Sequence, residues 1–201
     1  MFWSSKPEAF VTWFKDESIH LCAAGGGEKA RKDLYLLDPS QLEMGIKRRG
    51  GTEFLEVKGL VERQTDPLSI DGLAINPEIW TKWQAKHLTF GPDVSFSTNK
   101  LRWMRKFDAI ELQEVRLAPN EKPIDGVLPA EGCNVELTQI TDPYGKVWWS
   151  LGFESFGSLV RVESNLKATV ETFMNRTGRP ELPHGAPMSY PNWIAHVVFP
   201  N

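Results

Sequence analysis

The chain of 201 residues is poor in the residue types that build most redox and metal centres. Its two cysteines, Cys22 and Cys133, form no CxxC pair, which argues against a disulfide framework and a zinc site. Its four histidines are scattered and lack the paired spacing of HExxH. We therefore expect reduced thiols in a cytoplasmic protein.

Long hydrophobic runs and a strong net charge are lacking too. No stretch approaches the ~20 consecutive apolar residues of a membrane-spanning helix, and "MFWSSKPEAF" lacks the basic and apolar regions of a signal peptide. The net charge of −3 gives no basic field that would attract DNA or a membrane. The length fits a single domain over residues 1–201, which we expect to be a monomer or a weak dimer. Any anion site must then come from local clustering of cations.

Apolar and aromatic runs bounded by turn residues predict about eight strands. The runs cover 8–14, 31–38, both arms of a hairpin over 44–59, 99–107, 109–117, 133–141 and 147–157, with a further short strand at 194–199. Helical periodicity predicts a helix at 78–88, after an Asn76-Pro77 start, and a second helix at 158–176. Because the links between strands are short, we expect an antiparallel sheet in an α+β fold.

Most of these strands carry one apolar face and one face with charges of both signs, because successive side chains point to opposite sides. The charged positions are Lys47 and Arg49, Glu56 and Lys58, Lys100 and Arg102, Glu136, and Glu154. Such a sheet can expose its charges to water, or it can close into an eight-stranded barrel with the charges inside and the helices packed outside. The pattern leaves both arrangements open.

A charged interior would indicate a particular ligand. Buried lysine and arginine are costly without partners, so they suit a watery cavity or a bound polyanion. Arginine forks match phosphate oxygens, and lysine adds point charge. Interleaved glutamates would repel phosphate unless a divalent ion bridges them, and Mg²⁺ binds carboxylate and phosphate oxygens together. The combination is typical of metal-assisted phosphate chemistry.

The order of the charged segments resembles the CYTH superfamily, the triphosphate tunnel metalloenzymes. It runs from "GIKRR" and "LEVK" through "KLRWMR" and "VELT" to "WWSLGFESFG". The resemblance implies an antiparallel tunnel in which Lys and Arg side chains grip phosphates and Glu side chains hold a divalent metal. It assigns phosphate binding to Lys47, Arg49, Lys58, Lys100 and Arg102, and it assigns Mg²⁺ or Mn²⁺ to Glu136 and Glu154.

The chain departs from that family in its first strand, which should read Glu-x-Glu-x-Lys. The expected place reads "EAFVTWFKDE", where Glu8 stands alone. We therefore predict a protein that binds a triphosphate, polyphosphate or nucleotide with divalent metal, and we leave open whether it hydrolyses a phosphoanhydride. The alternatives are a non-catalytic barrel that binds an anionic metabolite, or a protein whose charges face water and whose function is to contact a protein partner.

Overall fold

The computed structural model describes residues 1–16, 29–38, 42–50, 52–118 and 121–199. This part of the chain forms a large antiparallel sheet, a small hairpin and three helices, which confirms the predicted α+β class. The helices are α1 (Glu8–Lys15), α2 (Val162–Met174) and α3 (Tyr190–Val198). The strands are β1 (Phe2–Trp3), β2 (Lys29–Leu36), β3 (Met44–Arg49), β4 (Phe54–Arg63), β5 (Leu68–Ile70), β6 (Leu73–Ile75), β7 (Glu78–Lys86), β8 (Ser95–Asp108), β9 (Glu114–Val115), β10 (Gly132–Thr141) and β11 (Val147–Phe156).

The large sheet has the strand order β1-β11-β10-β8-β2-β3-β4-β7, with β9 paired beside β8. All of its ladders are antiparallel, and β5 with β6 forms the separate hairpin. Among the described residues no ladder joins β7 to β1 or β11, so the sheet is open along that side.

The sheet is nevertheless strongly curved. In the strand order β4 lies five spacings from β11, which would place the two strands ~24 Å apart in a flat sheet. Yet the Lys58 ammonium on β4 lies 2.7 Å from a Glu154 carboxylate oxygen on β11. Both side chains belong to the concave side, which we call the charged face. Its ionised residues in the described chain include Arg31, Asp33, Lys47, Arg49, Glu56, Lys58, Lys82, Lys100, Arg102, Glu136 and Glu154.

The opposite, apolar face packs against α1 and α2. Phe14 of α1 and Phe173 of α2 are buried with ring centroids 5.8 Å apart, and both belong to one cluster with Trp103 and Leu137 of the sheet. The predicted placement of helices on the apolar side is therefore confirmed for α2. None of the helices in the described ranges is long and apolar enough to span a membrane.

The third helix covers one end of the concave side. Trp193 of α3 is fully buried and stacks on Phe2, with ring centroids 5.3 Å apart. Its ring also meets Phe96 and Trp148 edge-on, at 5.7 and 6.0 Å. A side chain on Gly45 would touch the ring of Pro191 at 3.4 Å, so this small residue lets α3 approach β3 closely. The helix therefore forms an aromatic floor beneath the charged face.

Three predicted elements are wrong. Residues 8–14 form a helix instead of a strand, because the apolar residues Phe10, Val11, Trp13 and Phe14 recur at helical spacing and are all buried. The predicted final strand at 194–199 is also helical. There Ser189 caps α3 by accepting a hydrogen bond from the Asn192 backbone N–H.

The third error is the helix predicted at 78–88, which is strand β7. Trp80, Lys82 and Gln84 face the concave side, while residues between them face outward, so the segment also has period-two alternation. Pairing with β4 satisfies the backbone hydrogen bonds of this segment, and this favours a strand over a helix.

The strand predicted at 109–117 is reduced to two residues of β9. The side chain of Asp108 accepts hydrogen bonds from the Ile110 and Glu111 backbone N–H groups, which ends β8 in a turn. The remaining predicted strands and the helix at 158–176 are present with shifted ends. Cys22 and the glycines at 25–27 lie outside the described residues.

The aromatic floor gives a first test. Replacing Trp193 with Ala should lower the free energy of unfolding by about 3–5 kcal/mol, because it empties a fully buried site that α3 shares with the sheet. Denaturant titration followed by circular dichroism measures this change. Phe199→Ala, just beyond α3 and half exposed, serves as the control and should change stability by less than about 0.5 kcal/mol. Equal effects of the two substitutions would show that α3 is not anchored through Trp193.

Candidate functional site

The deepest carboxylate of the charged face is that of Asp33, which is fully buried on β2. Its oxygens lie 2.9 Å from the Arg31 guanidinium, 3.6 Å from the Lys100 ammonium and 4.0 Å from the Lys47 ammonium. These cations come from β2, β8 and β3, so one carboxylate links three adjacent strands. A buried charge is tolerated only with such partners.

Lys100 lies at the floor. Its ammonium donates a 2.6 Å hydrogen bond to the Tyr35 hydroxyl and sits 3.7 Å above the centre of the Tyr190 ring. Burial lowers the pKa of Lys100 well below its usual value, and the neighbouring Asp33 only partly opposes this. Lys100 is thus enclosed by aromatic rings and Asp33, and only 3% of its surface is exposed. It is the least accessible of the five predicted phosphate contacts.

Glu56 on β4 holds a second cluster. Its carboxylate lies 3.2 Å from Lys47, 3.1 Å from Arg49 and 3.4 Å from Lys82. Burial alone would raise the pKa of Glu56, but attraction to these three cations outweighs it and lowers the pKa to about 2. The side chains of Arg49 and Lys82 remain 35% and 42% exposed, so these two cations lie toward the open side of the face.

Arg102 on β8 is bound by two carboxylates. Its Nη1 donates to Glu136 on β10 at 2.9 Å, and its Nη2 donates to Glu121 at 2.6 Å. The other Glu136 oxygen accepts a 3.2 Å hydrogen bond from Thr138. Burial lowers the pKa of Arg102, but the two glutamates outweigh it, so the net shift is upward. Its guanidinium therefore stays charged.

The predicted metal ligands, Glu136 and Glu154, are diagonal neighbours on adjacent strands, since Glu136 pairs with Gly152 and Glu154 with Asn134. Both form ion pairs in the structure, Glu136 with Arg102 and Glu154 with Lys58. Although 60% of the Glu154 side chain is exposed, partial desolvation would raise its pKa, but Lys58 and two further lysines outweigh this effect and lower the pKa. Within the described ranges no three His, Cys, Asp or Glu side chains are grouped to hold a metal ion.

Space remains between these ion pairs. A methyl group built on Gly152 would meet no atom within 4 Å, so the face opens beside Glu136. A groove of about 430 Å³ lies on the opposite side of the sheet, where Lys15 covers the ring of Trp103 at 4.3 Å. That groove has few charges and is separate from the charged face.

All seven predicted site residues therefore lie on the concave side, but they are already paired with one another or with residues that the sequence analysis did not assign. Lys82 was missed because its segment was predicted to be helical, although the alternation of Trp80, Lys82 and Gln84 indicates a strand. Glu121 was missed because it lies in a Pro- and Gly-rich loop and no strand periodicity marks it. Asp33 shares a face with Arg31 by alternation, yet its central position emerges only from the strand order.

Comparison with known protein-family models found no match, and comparison with curated proteins found none either. The resemblance to the CYTH superfamily therefore rests on the order of the charged segments.

The low pKa of Glu56 gives a pH test. Because the folded-state pKa of about 2 lies below the ordinary 4.5, the Glu56 carboxylate stabilises the fold above about pH 4.5 and loses this effect as pH falls toward 2. This contribution should shrink by about 2 kcal/mol between pH 7 and pH 3. In Glu56→Gln the difference in unfolding free energy between these pH values should therefore be about 2 kcal/mol smaller than in the wild type.

Denaturant titrations at the two pH values measure this difference. Glu62→Gln, on the exposed end of the same strand, is the control and should keep the wild-type pH dependence. If Glu56→Gln also kept it, the Glu56 carboxylate would not be the stabilising partner of the three cations.

Proposed function

We propose that the charged face binds a phosphate-rich anion such as a triphosphate, polyphosphate or nucleotide. The observation that carries the proposal is the convergence of cations from separate strands on one concave surface. Among the described residues, the ion-pair network of the face contains seven cations, Arg31, Lys47, Arg49, Lys58, Lys82, Lys100 and Arg102, and five carboxylates, Asp33, Glu56, Glu121, Glu136 and Glu154. The excess of positive charge favours an incoming anion.

The depth of each cation indicates which would meet the ligand. Arg49, Lys58 and Lys82 have side chains that are 35–42% exposed, so an anion reaches them without opening the floor. Lys47 and Arg102 lie deeper, with 16% and 11% of their side chains exposed. A chain of phosphates, with several charged groups in a row, matches such a graded set better than one small anion does.

The arrangement also supports the resemblance to triphosphate tunnel enzymes, and we propose a tunnel-like curved sheet of that type. Glu136 and Glu154 would hold Mg²⁺ or Mn²⁺ once Arg102 and Lys58 turn to the phosphates. When bound, the metal would neutralise charge on phosphate oxygens. Whether the ligand is then hydrolysed is a separate question, and the pairing of these carboxylates with cations favours the second candidate, a barrel-like module that binds an anionic metabolite without catalysis.

We propose that this binding takes place in the cytoplasm. Cys133 is a free, buried thiol, and burial raises its pKa to about 12, so it is inert rather than redox-active. A reduced structural thiol suits a reducing compartment.

Neighbouring arginines on β3 provide a matched test of binding. Arg49 lies on the charged face and Arg48 on the opposite face of the same strand. Arg49→Ala should weaken the binding of tripolyphosphate by about 1.5–3 kcal/mol, as expected for lost hydrogen bonds to a charged group. Arg48→Ala removes the same charge from the outer side and should leave the affinity almost unchanged. Titration calorimetry at fixed ionic strength measures both, and equal losses would contradict a site on the charged face.

The metal gives a further prediction. Because Glu136 and Glu154 are paired with cations, Mg²⁺ alone should hardly change the melting temperature, whereas Mg²⁺ added with tripolyphosphate should raise it above the value with tripolyphosphate alone. The Glu136→Gln, Glu154→Gln double variant should lose the additional shift. Phosphate release in the same samples decides between hydrolysis and binding. If the double variant responded to metal as the wild type does, Glu136 and Glu154 would not be metal ligands.

A further inference from the structure

Glu121 differs from the other carboxylates of the charged face because it comes from a loop. Asp33, Glu56, Glu136 and Glu154 are held in strands. Glu121 lies in the connection between β9 and β10, where an isolated bridge joins Leu117 to Pro123. Its displacement from the face would therefore leave the ladders of the large sheet intact.

The loop presents this carboxylate to the face at a conformational cost. The backbone of Glu121 has φ of +65°, in the left-handed region that residues with a side chain seldom adopt. Its N–H donates to the Ala118 carbonyl at 2.8 Å, and the Ala118 N–H donates to the Lys122 carbonyl at 2.8 Å. These bonds hold the backbone of Glu121 where its side chain reaches Arg102. Strained positions of this kind are often found at functional sites.

The contact occupies the donors that a phosphate would use. Both carboxylate oxygens of Glu121 lie within hydrogen-bond distance of Arg102 Nη2, while Nη1 binds Glu136. The side chains of Arg102 and Glu121 are only 11% and 12% exposed, so the pair is shielded from water. A ligand that binds Arg102 through this nitrogen must first displace the Glu121 carboxylate.

We propose that Glu121 is a resident competitor for Arg102 and lowers the affinity of the anion site. This inference rests on the proposed function. A small anion that replaces Glu121 exchanges one ion pair for another and gains little. A polyphosphate that displaces it also extends toward Lys58, whose partner Glu154 is a diagonal neighbour of Glu136, and this added contact offsets the loss of the internal pair. Displacing Glu121 costs the same for either ligand, so Glu121 lowers the affinity for both, and only the ligand with further contacts binds tightly.

Calorimetry with orthophosphate and with tripolyphosphate, at constant ionic strength, tests this competition. Glu121→Gln removes the charge and keeps the shape of the side chain. Its affinity for orthophosphate should rise about tenfold or more, the factor expected for a freed charged hydrogen bond. Its affinity for tripolyphosphate should rise by a similar factor, because both ligands displace the same carboxylate.

Two further variants make the test decisive. Glu121→Gly also removes the carboxylate and suits the positive φ, so it should show the same gain in affinity. Glu171→Gln removes one negative charge from an exposed position on α2 and should change neither affinity. If the wild type binds tripolyphosphate but both Glu121 variants keep its affinities, the inference about Glu121 is overturned and the proposed function stands. If none of the proteins binds either anion, both fall.

Discussion

The buried carboxylate of Asp33 is the charge on which the concave face most depends. It lies among Arg31, Lys47 and Lys100, which come from three neighbouring strands and would otherwise repel one another. An ion that is moved from water into protein without a counter-charge costs several kcal/mol. The curvature that buries these cations is therefore tolerable only with Asp33 at their centre. Glu56 serves the same purpose one layer closer to solvent.

Two apolar cores support this charged layer from different directions. On the outside, α1 and α2 cover the apolar face and pack in one cluster with the buried side chains of Trp103 and Phe107 on β8. At one end, α3 inserts Trp193 among Phe2, Phe96 and Trp148. Water is excluded from that end, so the electrostatic interactions of Lys100 are stronger there than near the open side. The packing of α3 and the strength of the electrostatic interactions at Lys100 are thus linked.

The sequence allowed the charged face to be predicted because its signal is local. The alternation within each strand is enough to group Lys47 with Arg49, or Lys100 with Arg102. The pairing of these charges could not be predicted, because it depends on which strands become neighbours and on how far the sheet curves. The contact of Lys58 with Glu154 bridges 96 positions of the chain and follows from curvature alone. The predictions for segments 8–14 and 78–88 were wrong because short apolar runs fit both helical and strand periodicity. Contacts with the rest of the fold decide between the two.

The carboxylates of the charged face pair with its cations, and this pairing limits which ligands the face can bind. The free energy of binding is the difference between the contacts that a ligand makes and the internal pairs that it breaks, such as Glu56 with Arg49 or Glu154 with Lys58. A ligand with the charge of one carboxylate therefore gains little at any single cation. A ligand that spans several cations at once breaks several internal pairs, but it replaces each of them with a contact to its own charge. It loses the entropy of association only once. The interleaving of acids and bases on these strands thus favours ligands with a high density of negative charge.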